Sequence, residues 1–395
     1  MSSEGRTITV PYITGDGIGP EIMDVAKAVT NAAVHAVYDG KTAISWAEVL
    51  AGERSFKATG DWMPRSTLDA IKSSGVALKG PLTTPVGGGI RSLNVLLRQR
   101  LDLYASVRPV RHFEGVPSPV KEPQKMNIVI FRENTEDVYR GIEWSRGSKE
   151  ALELADFLEK RMGIKLPPDS GIGIKPISEA ASKRLVRAAI NHALKKGLRS
   201  VTLVHKGNIM KFTEGAFKSW GYEVASGEFS ANTISESEMV GRGLKTVPSG
   251  KILINDRIAD NMFQQILTRP EEYSVLAAPN LNGDYLADAC AAQVGGLGIA
   301  PGANIGDEVA VFEAVHGTAP KYAGKDLANP CSLILSSAMM LEHLGLVEAS
   351  GTIERAVART LSERIFTQDI ARMSPEPVGS VGTSRFGDEI IRRLA

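Results

Sequence analysis

The stretch Ser178-Glu-Ala-Ala-Ser-Lys-Arg-Leu-Val-Arg-Ala-Ala-Ile-Asn-His-Ala-Leu-Lys-Lys-Gly-Leu-Arg-Ser-Val-Thr-Leu-Val-His-Lys206 decides the fold. Up to Lys196 its apolar residues follow a helical period; after Gly197 a short β-branched strand, residues 200–204, ends at a polar pair. Residues 8–13 followed by 21–37 repeat this alternation, and further apolar strands are expected at 76–79, 127–131, 274–278 and 309–314. Short strands alternating with longer helices predict an α/β fold around a mostly parallel sheet. Open sheets of this kind bind ligands beyond the carboxyl ends of their strands. Arg132, the pair His205 and Lys206, and residues 280–284 lie near such ends, so the functional residues are expected to converge on one rim.

A chain of 395 residues exceeds the size at which one core stops growing, so two lobes with a cleft between them are expected. The 46 basic and 45 acidic residues leave a formal charge of +1, which gives no reason to expect nucleic acid or an anionic membrane as partner. Cys290 and Cys331 sit in apolar helical surroundings without a disulfide or zinc spacing, which fits a reducing compartment. With no signal-like start and no membrane-length apolar run, the expectation is a soluble, cytoplasmic protein. Residues 141–173 loosen into a charged helix, 150–161, and the Pro/Gly-rich 166–174, read as a surface excursion or an arm toward a second subunit. Helices are expected again at 330–343, 352–366 and 386–394.

The most informative chemistry lies in Leu82-Thr-Thr-Pro-Val-Gly-Gly-Gly-Ile-Arg-Ser-Leu-Asn-Val-Leu-Leu-Arg98. Three glycines let backbone approach a ligand, and Ser92, Asn94 and Arg98 then offer a hydroxyl, an amide and a planar fork of donors for carboxylate oxygens; taken alone, the segment also reads as an ordinary loop capping a helix. Arg98, Arg108 and Arg132 each lie in or after apolar segments, an uncomfortable place for permanent cations unless an anion is near. In Asn280-Leu-Asn-Gly-Asp-Tyr-Leu-Ala-Asp288, a helix beginning at Gly283 would place Asp284 and Asp288 on one face, suited to Mg²⁺ or Mn²⁺ or simply to solvent. Asp256 and Asp260 have the same spacing; for Asp256, helix capping is the simpler reading. Lys206 at a strand end is either a proton-transfer group or a solvated lysine, and Tyr139 either a proton donor or an ordinary half-buried tyrosine. Gly15-Asp-Gly-Ile-Gly-Pro20 has its third glycine too early for a dinucleotide fingerprint, so no Rossmann domain is expected. In Glu313-Ala-Val-His-Gly-Thr-Ala-Pro-Lys-Tyr322, Lys321 is suited to a phosphate, and His316 or Tyr322 to adenine.

Together, residues 15–20, 79–94, 101–109, 131–144, 203–217, 280–306 and 316–324 resemble the prokaryotic isocitrate dehydrogenases of the isocitrate/isopropylmalate dehydrogenase family. The resemblance implies a two-lobed α/β fold with a shared sheet core: a large domain of residues 1–103 and 295–395, a small domain of 104–136 and 179–294, and a clasp, 137–178, that joins a homodimer with shared active sites. It implies isocitrate on Ser92, Asn94, Arg98, Arg108 and Arg132; Tyr139 and Lys206 as the catalytic pair; and Mg²⁺ or Mn²⁺ on Asp260, Asp284 and Asp288. Lys206 and Asp260 would serve the neighbouring subunit's site. NADP would meet Thr84, Asn94, His316, Gly317, Thr318, Ala319, Lys321, Tyr322, Asn329, Arg269 and Arg372, although Gln368 replaces a tyrosine that touches the 2′-phosphate in the best-matched bacterial enzymes. The implied reaction oxidises isocitrate to oxalosuccinate, releases CO₂ and yields 2-oxoglutarate. Ser92 is also where a kinase could block the site, since a phosphoryl group would bring about two negative charges to the substrate carboxylate's place.

Overall fold

The computed structural model describes residues 5–83 and 92–394. Its strands are β1 (Arg6–Ile13), β2 (Thr42–Glu48), β3 (Val76–Lys79), β4 (Ala105–Arg111), β5 (Asn127–Glu133), β6 (Glu143–Trp144), β7 (Ile172–Gly173), β8 (Ser200–His205), β9 (Thr233–Ser235), β10 (Ile252–Ile258), β11 (Val275–Ala278), β12 (Pro301–Ile305) and β13 (Ala310–Ala314). Eleven form one sheet in the order β2-β1-β3-β13-β12-β4-β5-β11-β8-β10-β9, and β6 pairs with β7 apart from it. β2, β1, β3 and β13 form one parallel block, and β5, β11, β8, β10 and β9 another. Antiparallel pairings through β12 and β4 join them. The sheet is mostly parallel, as the alternation predicts, but three antiparallel steps reverse one block against the other. Their carboxyl ends therefore leave opposite edges of the sheet, and the expected single rim does not form.

One sheet face is covered by a continuous apolar layer that includes the helices Gly19–Tyr38, Glu179–Lys196, Cys331–His343 and Val347–Ser362 and draws on both blocks. On the opposite face the core is split. One cluster, with Leu93, Leu97, Ile13 and Val311, lies over the first block. Another, with Ile128, Ile130, Leu276, Leu286 and Cys290, lies over the second. Both cysteines are buried and free. The helix Lys149–Met162 and the β6–β7 pair make up the expected excursion. No helix among the described residues is long and apolar enough to cross a membrane.

Candidate active site

The gap between the two apolar clusters is a polar stripe that strand register aligns. Residues directly opposite in neighbouring strands project to the same face. Lys79 faces Glu313, Glu313 faces Gly302, Asn304 faces Ser106, and Ser106 faces Arg132, with Arg108 two residues on. Lys79, Glu313, Asn304, Ser106, Arg108 and Arg132 thus share one face at the middle of the sheet. All six are buried.

Glu313 organises this stripe. Its carboxylate accepts Lys79 Nζ at 2.7 Å, Arg98 Nη2 at 2.9 Å and Asn304 Nδ2 at 2.7 Å. Burial alone would push the Glu313 carboxyl up, but the Lys79, Arg98 and Arg108 charges outweigh it and hold it well below the ordinary range. Lys79 also donates to Asn94 Oδ1 at 3.0 Å, fixing the second residue of the helix Leu93–Arg100 that Ser92 precedes. Arg108 Nε donates to Ser106 Oγ at 3.1 Å, and Arg132 Nε to Asn280 Oδ1 at 2.8 Å. Burial, and then Arg98, pull both of those guanidiniums below their usual range, Arg132 to about 10. Arg98 Nε is buried with no hydrogen-bond partner among the described residues. Three buried arginines, only two of them paired with a carboxylate, and an unused donor are suited to an anion.

The helix Asn280–Gln293 closes this site from above. It begins three residues earlier than Gly283, the start that the sequence reading assumed, yet Asp284 and Asp288 still share a face. Gly283 is required here: a Cβ would stand 2.6 Å from Arg132 Cβ. Arg132 pairs with Asp284, whose other oxygen accepts the Tyr139 hydroxyl at 2.7 Å. The Arg132 guanidinium also lies 4.7 Å over the Tyr139 ring. Burial and the Asp284 carboxylate push the phenol up to about 12, so it keeps its proton at neutral pH. Asp288 makes no hydrogen bond or ion pair among the described residues, and partial desolvation followed by Asp284 raises its carboxyl above the usual range.

Lys206 and Asp260 pair with one another, both partly open to solvent. Among the described residues no three His, Cys, Asp or Glu side chains of one copy gather to hold a metal, so Asp260 does not complete a set with Asp284 and Asp288 within its own chain. Asp256 is not a helix cap. It lies inside β10, where its carboxylate accepts His205 Nε2 at 2.9 Å and the Tyr222 hydroxyl at 2.8 Å. Sequence reading also missed a buried linkage. Lys175 contacts Asp137 at 2.5 Å and Glu214 at 2.9 Å, while Glu214 accepts the Lys206 backbone N–H at 2.5 Å and Asn282 Nδ2 at 2.8 Å. Asp137 in turn accepts the Leu281 N–H at 2.9 Å. No spacing in the sequence announces this.

Beside the polar stripe is a cavity of about 290 Å³, lined among others by His316, Gly317, Ala319, Tyr322, Asn329 and Arg372. Gln368 lines it too. His316 Nε2 is buried there without a hydrogen-bond partner among the described residues, and burial holds its ring below the ordinary histidine range. Thr318 lies beside the cavity, its carbonyl accepting the Ile18 N–H at 3.0 Å. Gly17, in the left-handed region at φ 59°, makes that contact feasible, because a Cβ there would fall 2.0 Å from Thr318 O. The Gly15–Pro20 segment is therefore a brace for the His316 loop. Lys321 is exposed next to Tyr322. Arg269 is not among the lining residues; it caps the C-terminal end of the helix Ala259–Thr268, whose first turn holds Asp260, and pairs with Glu272 at 3.7 Å. Thr84 and the three glycines at 87–89 lie outside the described residues.

Residues 9–390 match the family model for isocitrate/isopropylmalate dehydrogenase. The chain belongs to that family. An isocitrate dehydrogenase [NADP] of Archaeoglobus fulgidus is 57% identical over 98% of this chain and 92% of its own length. One from Coxiella burnetii is 56% identical over 98% and 91%. A crystal structure of isocitrate dehydrogenase from Methylococcus capsulatus superposes with a TM-score of 0.80 at 37% identity, covering 98% of this chain and 99% of that one. Membership of the isocitrate/isopropylmalate dehydrogenase family accounts for the two-lobed α/β fold without a dinucleotide fingerprint.

Proposed function

We propose that this chain catalyses the NADP-dependent oxidative decarboxylation of isocitrate to 2-oxoglutarate and CO₂. The observation that carries the reading is the buried trio Arg98, Arg108 and Arg132, with Arg98 paired to Glu313 and Arg132 to Asp284, directly beside a protonated tyrosine and Asp288. The arginines bind the substrate's carboxylates, and Ser92 and Asn94 take the one that distinguishes isocitrate. An isopropylmalate site would need an apolar lining there, against which an unpaired charge would cost several kcal/mol.

Asp288, unpartnered and raised, and Asp284 offer hard oxygen donors that fit Mg²⁺ or Mn²⁺, with Asp260 of a second copy completing the set. When bound, such an ion would supply positive charge that favours loss of the hydroxyl proton and stabilises the enolate. The cavity at His316 and Tyr322, lined also by Arg372, would seat part of NADP, the hydride acceptor, with Lys321 and Arg269 as further cations for its 2′-phosphate. Lys206 of the second copy takes the hydroxyl proton. After CO₂ leaves, Tyr139 gives its proton to the enol carbon. The protein works in the cytoplasm as a homodimer clasped by residues 137–178, the large domain being 1–103 with 295–395 and the small domain 104–136 with 179–294.

Absorbance of reduced cofactor tests the reading, using isocitrate, isopropylmalate and homoisocitrate with NADP or NAD and with or without Mg²⁺. Turnover of isocitrate with NADP and metal is expected. Preference for another acid overturns the substrate, and preference for NAD overturns the cofactor. A kinase acting on Ser92 would shut the site; normal isocitrate turnover by Ser92→Glu overturns that regulation.

A further inference from the structure

Directly behind the polar stripe, on the opposite face of the sheet, is a second cavity of about 250 Å³. Its floor is apolar, formed by Val107, Phe131, Ala303 and Phe312, and its walls are the helices Glu179–Lys196 and Cys331–His343. His192 and His343 face in from those two helices, their rings 5.2 Å from Phe131 and 5.6 Å from Phe312. Lys195 and Lys196 stand at the mouth. Lys196 is neutralised by Glu342 at 2.5 Å, whereas Lys195 has no hydrogen bond or ion pair among the described residues. The charge of Lys195 reaches both histidines, helping to hold each ring below its ordinary range after burial has done most of it. No step of the proposed reaction uses this cavity.

We infer that it is an effector site for a small aromatic monocarboxylate. Its flat apolar floor and modest size suit one or two fused rings. A flat apolar body would rest on Phe131 and Phe312 between two imidazole edges, and its carboxylate would reach the uncommitted ammonium of Lys195. The site is wired to the arginines by strand alternation. Val107 adjoins Arg108, Phe131 adjoins Arg132 and Phe312 adjoins Glu313, so three strands each present one side chain to the cavity and the next to the anion site. The walls also come from both sheet blocks, with the antiparallel strands joining those blocks between them. A ligand seated there therefore alters isocitrate binding, and isocitrate alters its binding in return.

The test uses the intact natural protein with 1-naphthoate as probe and 1-naphthylmethanol as its uncharged counterpart. Proton NMR follows the His192 and His343 ring signals, a readout that needs no catalysis and so survives failure of the proposed reaction. Saturable shifts of both rings at millimolar naphthoate are expected, with affinity lowered about tenfold in Lys195→Met for the acid and not for the alcohol. Ala188→Leu, which fills the cavity, should abolish both. Bound naphthoate should change the isocitrate Kd by roughly threefold or more in the natural protein and leave Ala188→Leu unchanged. Absent shifts, or binding indifferent to Ala188→Leu, overturn the site. Binding that leaves isocitrate affinity unmoved overturns the effector role.

Discussion

Tyr139 shows how environment assigns a role that residue identity leaves open. Its hydroxyl donates to Asp284 and its ring lies under Arg132, so the phenol is kept protonated and aimed at the anion site. Tyr139→Phe keeps the ring and removes the proton: kcat is expected to fall roughly 10²- to 10⁴-fold, with the calorimetric isocitrate Kd nearly unchanged. Lys175 illustrates the opposite case, a lysine whose importance depends wholly on two buried carboxylates. In Lys175→Met, Asp137 and Glu214 lose their shared cation, and urea unfolding should report a loss of roughly 3–5 kcal/mol, as for a broken buried pair. His192 makes a pH-dependent contribution of known sign. Burial, and then Lys196, lower its ring from 6.5 to about 4, so between those values the unfolded chain takes up a proton that the folded chain refuses. Stability therefore falls as pH drops through that window. Tm measured from neutral pH down to about 4 should decline less steeply in His192→Phe than in the natural protein.

At the scale of elements, the helix Asn280–Gln293 carries the two candidate metal ligands and seats itself on Arg132 through Gly283. In a generic helix Gly→Ala gains up to ~1 kcal/mol of propensity. Here the added methyl would stand 2.6 Å from Arg132 Cβ and 3.1 Å from its Cα, atoms that cannot rotate away, so Gly283→Ala should lower Tm. At a temperature where the variant stays folded, isocitrate KM should also rise, by up to roughly 10²-fold if Arg132 is displaced by about an ångström. An unchanged KM in the folded variant would show that the glycine matters to packing alone. The helix Leu93–Arg100 is placed by comparable means: Leu93 and Leu97 bury against the first block, while Asn94 and Arg98 are drawn to Lys79 and Glu313.

At the scale of the whole molecule, Asp260 does not gather with Asp284 and Asp288 among the described residues of one chain, and under the proposed reading a second copy supplies it. Asp260→Asn and Asp284→Asn should each be inactive as pure proteins. Mixed after unfolding and refolded together, random pairing restores one intact site in each mixed dimer, about one quarter of natural turnover. Recovery no greater than either variant alone would mean that Asp260 serves its own chain's site or none. The reversal between the two sheet blocks gives this arrangement its shape. It splits the apolar layer on one face, and the cleft where the arginines meet is that split.

Much was legible beforehand because it rests on local chemistry. The helical period of residues 178–196 and the β-branched run after it required alternating helix and strand, and Arg98, Arg108 and Arg132 in apolar segments required an anion. The charged run near residue 150 required a solvated helix. Tertiary structure decided what depends on distant pairing. Register across β3, β13, β12, β4 and β5 brought Lys79 and Glu313 to the arginines and moved the site from a rim to a face. It placed Asp256 within a strand rather than at a helix end, and gave Lys175 its two carboxylates. The physical reason is that side-chain period and propensity act over a few residues and can be read in order. A buried charge is tolerated only beside its partner, and partners as distant in sequence as Arg98 and Glu313 meet only once the chain has folded.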